Sequence, residues 1–180
     1  EMESDDKVLV LILTGQGRAF CAGADIHEQV EREQQQERPN QGTRERGDLA
    51  MQIASFPKPV VAAINGVAVG FGSLLATSTD WRFGCAQSRF RFPGVGYGRI
   101  NATWSTAAVV GLPKAKDLIL SGRWVEAEEA YRMGLLDRLL PHDSLLDETV
   151  AYAEILAKQP PEMVQAAKRL LNGHIGLRFE

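Results

Sequence analysis

Cysteine is scarce in this chain, Cys21 and Cys85 being the only two. They stand far apart, and neither belongs to a CxxC pair or to a Cys/His ligand spacing. A zinc site and a disulfide framework are therefore not indicated, and no metal is expected. Basic charge is no more plentiful: 20 Lys and Arg against 23 Asp and Glu leave a net charge of −3. With no basic stripe interleaved with aromatics, the sequence argues against nucleic acid as a partner. Apolar runs of membrane-spanning length are missing as well, and the acidic opening EMESDDK contains no apolar h-region. No membrane partner is expected, and a reducing, cytoplasmic setting is the default. The glycine-rich residues 93–98 (PGVGYG) lack both GxGxxG spacing and the Lys-Ser/Thr that follows a phosphate loop, so a nucleotide reading is weak. No Ser-His-Asp order is suggested. What remains is ordinary for a soluble domain. The 180 residues, 44% hydrophobic and 24% charged, are one domain's worth and can bury a real core.

The chain is organised around residues 8–28, VLVLILTGQGRAFCAGADIHE. Residues 8–13 form a continuous apolar run of strand length, as in a strand buried on both faces. Thr14-Gly15-Gln16-Gly17 breaks it. Cys21-Ala22-Gly23-Ala24 then holds nothing larger than a thiol, so a ligand can approach the main chain. Asp25 suits a helix N-terminus. A strand feeding a small-residue loop at a helix start presents free backbone N–H groups and can stabilise an oxyanion. A tight βα connection without function has the same features.

Residues 60–64 (VVAAI) read as a second buried strand, Asn65-Gly66 as a turn, and residues 67–76 (VAVGFGSLLA) as a glycine-bearing turn entering a helix. Two such units side by side can aim two backbone N–H groups at one point, the geometry a thioester oxyanion needs. Glycines that only permit close helix packing are the competing account. Between the units, residues 25–35 read as a polar helix, the charged stretch up to residue 48 as a solvated loop, and residues 49–55 as a helix. Further on, residues 80–85 and 89–92 are short strand candidates. Helices are predicted over 103–110, 113–120, 127–133, 145–157 and 161–171, with a short strand near 135–140. Ala151, Ile155 and Leu156 mark one face of the penultimate helix, and Val164, Ala167 and Leu171 one face of the last. Strand–turn–helix units in series mean an α/β class.

In sequence order, LTGQGRAFCAGADIHE, KPVVAAINGVAVGFG, FRFPGVGYG and LSGRWVEAEEAYRMGLLDRLLP resemble the crotonase, or enoyl-CoA hydratase/isomerase, superfamily over nearly the whole chain. The resemblance implies a spiral of ββα units over residues 1–140. Residues 141–180 would begin a C-terminal helical oligomerisation region. The usual N-terminal strands and last C-terminal helices would be lacking. It further implies acyl-CoA substrates, coenzyme A as part of the substrate rather than a separate cofactor, and a homotrimer or dimer of trimers. Carried over by motif, the thioester carbonyl would sit between the backbone N–H groups of Ala24 and Phe71. Ala22, Ala24, Asp25 and Ile26 would border the CoA moiety, with Phe71, Gly94 and Asn101 also lining the substrate site.

This chain departs from the family pattern where hydration is done. The two positions matching the hydratase glutamates hold Leu74 and Gly94, and neither transfers a proton. Residues 100–103 (INAT), matching the segment that carries an isomerase acid, also lack a carboxylate. His27 is the candidate acid–base group, against the alternative of a solvated helix histidine. Asp25 reads as a helix cap before it reads as an acid. Asn101, Tyr97 and Arg99 are candidates to hold a substrate carboxylate or CoA phosphate, although turn and surface residues of these types are common. Cys21 reads as packing. The expectation is thioester chemistry other than hydration: isomerisation, decarboxylation of malonyl-type thioesters or another enolate-forming cleavage, or acyl-CoA binding without turnover.

Overall fold

The computed structural model describes residues 2–23 and 41–174. The chain shuttles between two sheets. Strands β1 (Leu11–Thr14), β3 (Val60–Ile64), β5 (Trp81–Gly84) and β8 (Arg138–Leu139) form the first, all parallel. Strands β2 (Ala19–Cys21), β4 (Val67–Val69) and β6 (Arg89–Arg91) run parallel in the second, and β7 (Trp124–Glu126) closes it antiparallel to β6. Strands β1, β3 and β5 of the first sheet pass through short turns into β2, β4 and β6 of the second. Helices α1 (Gln41–Ser55), α2 (Phe71–Thr77), α3 (Thr103–Val110), α4 (Leu112–Ser121) and α5 (Ala127–Met133) intervene between these pairs or follow them. Two more, α6 (Leu145–Ala157) and α7 (Pro161–His174), follow β8. The result is a spiral of strand–strand–helix coils.

Successive coils are fastened by side chains of the turns. Asn65, just past β3, accepts the Gly15 N–H at 3.0 Å and donates to Gly17 O at 3.0 Å, so the second turn grips the first. Ser88 repeats the device one coil later, donating to Ile64 O at 2.5 Å while accepting the Cys85 N–H at 2.8 Å. Strand β3 is buried along its whole length and divides two cores. Ala62 and Ile64 face an inner core with Leu74, Phe90, Phe92 and Leu118. Val61 and Ala63 face an outer core with Phe83 and Leu145, which α6 covers. On α6 the Tyr152 ring meets those of Trp81 and Phe83 at 5.5 and 5.1 Å. Fully burying a phenylalanine of this kind contributes about 1.5–3 kcal/mol.

The structure corrects several expectations. The stretch expected to be a loop up to residue 48 is helical from Gln41, because Gln, Arg and Glu are good helix formers and Ala50 and Ala54 supply a buried anchor. Residues 67–69, read as part of a turn, are the strand β4, and β2 and β7 are short strands that three-residue segments do not announce. Residues 135–140 are strand only at Arg138–Leu139; Leu135 and Leu136 are buried but bent away from the ladder. On α6 the face against the protein carries Leu145, Thr149, Tyr152, Ala153 and Leu156, whereas Ile155 is 55% exposed. On α7 Lys168 and Asn172 bond to the rest of the fold and Val164 lies beside Pro59 and Leu156, whereas Leu171 is 69% exposed. The helix expected over residues 25–35 lies outside the described residues. Among the described residues no helix is long and apolar enough to cross a membrane.

Candidate active site

Strands β2, β4 and β6 are neighbours and parallel, so their carboxyl ends at Cys21, Val69 and Arg91 open on one edge of the second sheet. The crevice outside the carboxyl ends of parallel strands is where α/β proteins place ligands. Two backbone segments leave that edge side by side. A Cβ on Gly72 would stand 2.0 Å from Cys21 O, and one on Gly23 would stand 2.8 Å from Val69 O and 3.9 Å from Phe71 N. Gly23 also has φ +95°, where a side chain is strained. The two loops therefore touch main chain to main chain, and only glycine permits it at either contact.

Between these contacts lies the start of α2. Gly70, at φ 57° and ψ −107°, turns the chain so that Phe71 is its first residue. No side chain caps the helix, and the leading amides of a helix have no intrahelical acceptor. Arg91 O receives both the Gly70 N–H at 3.0 Å and the Ser73 hydroxyl at 2.9 Å, which fixes this turn against the end of β6. Ser73 is fully buried and lies 2.8 Å from Ala68 O as well. Sequence reasoning passed over this serine. Its signal was a small polar residue placed directly after the glycines that open a helix.

Past Arg91 the chain runs through Phe92 and Pro93 into a 3₁₀ turn, Gly94–Tyr97. A Cβ on Gly94 would lie 2.9 Å from Arg99 O and 3.1 Å from Asn101 Oδ1, so Asn101 folds back over Gly94. The next residue, Ala102, has φ 56° and is the only non-glycine in that region among the described residues. The structure thus brings Ala22, Gly23 and Phe71 together through the glycine contacts. It places Gly94 against Asn101, and it links the two groups through Arg91. Leu74 is 6% exposed and belongs to the inner core. Tyr97 is 63% exposed. Ala24, Asp25, Ile26 and His27 lie outside the described residues.

Buried ion pairs lie elsewhere. At the far end of α2 a cleft of about 510 Å³ is lined by Thr77, Asp80, Trp104, Val164, Lys168 and Leu171, among others. Lys168 Nζ donates to Asp80 Oδ2 at 2.6 Å and to Lys58 O at 3.0 Å, and the Val60 N–H donates to the same carboxylate oxygen at 2.7 Å. Burial pushes Asp80 above the usual carboxylate value in spite of Lys168, and burial lowers Lys168 in spite of Asp80. Beside them the buried Arg82 pairs with Asp137 at 2.8 Å and donates to Leu135 O and Thr79 O. These contacts hold α7 and the β8 segment to the first sheet. None of the expected site residues that are described lines the cleft. Among the described residues no cluster of three or more His, Cys, Asp or Glu is placed to hold a metal ion.

Fold and site define a class: an α/β spiral whose candidate site is made of main chain at the carboxyl ends of three parallel strands. The family model described as enoyl-CoA hydratase/isomerase matches residues 1–178, and the chain belongs to that family. It is 38% identical over 184 residues to a Thermus thermophilus protein provisionally named an enoyl-CoA hydratase, covering 100% of this chain and 72% of that one. It is 32% identical to the 1,2-epoxyphenylacetyl-CoA isomerase of Escherichia coli, covering 96% of this chain and 68% of that enzyme. An enoyl-CoA hydratase/isomerase structure from Xanthobacter autotrophicus Py2 superposes with a TM-score of 0.89 at 28% identity, over 97% of this chain and 66% of that one.

Proposed function

We propose that this chain holds an acyl-CoA thioester carbonyl between the amides of Ala24 and Phe71 and performs enolate-type chemistry rather than hydration. Support for the grip comes from the packing of Gly23 on Val69 and of Gly72 on Cys21, which sets two loop backbones beside the free start of α2. A carbonyl oxygen that gains negative charge during reaction is stabilised most by donors already in place. Loss of one such donor costs about 2.7–4 kcal/mol of barrier in other enzymes. In this reading Ala22, Asp25 and Ile26 border the CoA moiety, Gly94 and Asn101 the acyl end, and His27 is the candidate proton carrier. Coenzyme A enters as part of the substrate.

The observation that carries the case against hydration is the state of two positions. Leu74 is 6% exposed within the apolar core, and Gly94 has no side chain in a spot hemmed by Arg99 O and Asn101 Oδ1. Neither can activate water or deliver a proton to the α-carbon. With a malonyl-type thioester, the bond from the α-carbon to the carboxylate breaks and carbon dioxide leaves. The electron pair becomes an enolate whose oxygen the two amides hold, and the α-carbon then takes a proton, with His27 as its candidate carrier. The spiral of residues 1–140 carries this site. Exposed Leu146, Val150 and Ile155 on α6, and Met163, Leu170 and Leu171 on α7, support self-assembly through residues 141–180 into a homotrimer or dimer of trimers.

The test offers the protein crotonyl-CoA and malonyl-CoA separately and identifies the products by mass spectrometry. Acetyl-CoA with carbon dioxide is expected from the second, and no appreciable 3-hydroxybutyryl-CoA from the first. Hydration of crotonyl-CoA at ordinary enzyme rates, about 1–10³ s⁻¹, overturns the proposal.

A further inference from the structure

We propose that the side chain of Phe71 makes this site selective for thioesters whose α-carbon is unbranched, an inference that rests on the acyl-CoA reading above. The residue performs two tasks with one position. Its N–H is the amide offered to the thioester oxygen, so its Cβ, two bonds from that nitrogen, cannot be far from the carbonyl. A helix tilts each Cα–Cβ bond toward its own N-terminus. Phe71 is the first residue of α2, so its ring is directed to the turn and the strand ends, not along the helix.

The surroundings limit where the ring can go. Phe71 packs on the inner core and is only half-buried. Leu74, one helical turn on and so on the same face, is itself buried. Gly72 cannot yield, because it already touches Cys21 O, and Gly70 is anchored to Arg91 O. The ring therefore stands on a backbone held at both flanking glycines. It stands as an apolar wall next to the carbon attached to the polarised carbonyl. A CH₂ at that carbon passes beneath such a wall, whereas an added methyl meets it.

Butyryl-CoA and isobutyryl-CoA test this directly, since they share carbon number and differ in branching at the α-carbon. Their dissociation constants are measured by calorimetry on the wild type, Phe71→Gly and Phe71→Leu, with circular dichroism to establish that each variant is folded. One methyl group in an apolar pocket changes affinity by about 10–200-fold. The wild type is expected to prefer butyryl-CoA by about tenfold or more. Phe71→Gly, which keeps the amide, should bring the ratio close to one, and Phe71→Leu should fall between. If wild type and both variants bind the two thioesters with the same ratio, the inference is overturned while the acyl-CoA reading stands. If the folded wild type binds neither thioester, the acyl-CoA reading fails with it. Should Phe71→Gly not fold, the ratio in Phe71→Leu decides alone.

Discussion

The two ends of helix α2 are built by opposite means. At its start, two loops meet through Gly23 and Gly72, and the groups presented are amides. At its end, past Thr77, the wall of the cleft is held by the buried Asp80–Lys168 and Arg82–Asp137 pairs. A search for buried, perturbed ionisable groups, a sound guide to many active sites, leads to the second end, where the charges fasten one element to another. Among the described residues, the first end has no buried ion pair to advertise it. A site made of main chain is found by close backbone contacts instead.

The contrast is broken most forcefully by removing one charge. Lys168→Met leaves the Asp80 carboxylate buried without its cation, and a loss of about 3–5 kcal/mol in chemical denaturation is expected. The pH dependence follows from the direction of the shift. Because Asp80 is already raised, its contribution to stability is fully present below the ordinary carboxylate value and lost as pH rises through the raised one. Lys168 is among the influences holding that value down, so the variant's deficit should be largest near neutral pH and shrink on acidification. A deficit that ignores pH argues that packing of the lysine stem, not charge, secures α7. Adding Asp80→Asn should recover most of the loss, and acyl-CoA affinity of the folded molecule should be unchanged throughout.

At the opposite end, Gly72→Ala forces a methyl into Cys21 O. About 3 kcal/mol is expected, at the upper part of the range for overpacking, and acyl-CoA binding should weaken together with stability. A variant that keeps its stability but loses binding would place the damage in the amide geometry alone. The smallest effect belongs to Ser73→Ala. Losing its hydroxyl near Ala68 O and Arg91 O should cost about 1 kcal/mol, with a modest rise in the dissociation constant for butyryl-CoA. If that constant does not move, the serine supports the fold without supporting the site.

Much of the spiral was legible in the residues, and the failures share a cause. The longer apolar runs gave β3 and, from Leu11 on and only part-buried, β1, and the helices at Thr103–Val110, Ala127–Met133 and Leu145–Ala157 follow their apolar patterns closely. Strands β2, β4 and β7 have three residues each, too few for a period to register. Their form depends on pairing with neighbours distant in the chain. Helix α1 was misread because its first half is polar, and polarity was taken for a loop. At the site, the glycines and the apolar residues at positions 74 and 94 could be read directly. Ser73 could not, because its partners Ala68 O and Arg91 O come together only after two sheets have formed.

Strand β3 has one more consequence. A strand with a wet face cannot slip by one residue without turning its apolar set into solvent. Val60–Ile64 has no wet face: a slip would exchange Val61 and Ala63 for Ala62 and Ile64, one apolar pair for another, and polarity would not object. Something else must fix the alignment of Leu11 with Val60 and of Ile12 with Val61. Asn65 is that pin. Its three hydrogen bonds to Gly15, Gly17 and Ala19 are satisfied at a single offset of β3 against β1. With the Thr14 hydroxyl, which donates to Ala63 O at 2.9 Å, one amide side chain outside the strand thus holds β3 in phase with β1.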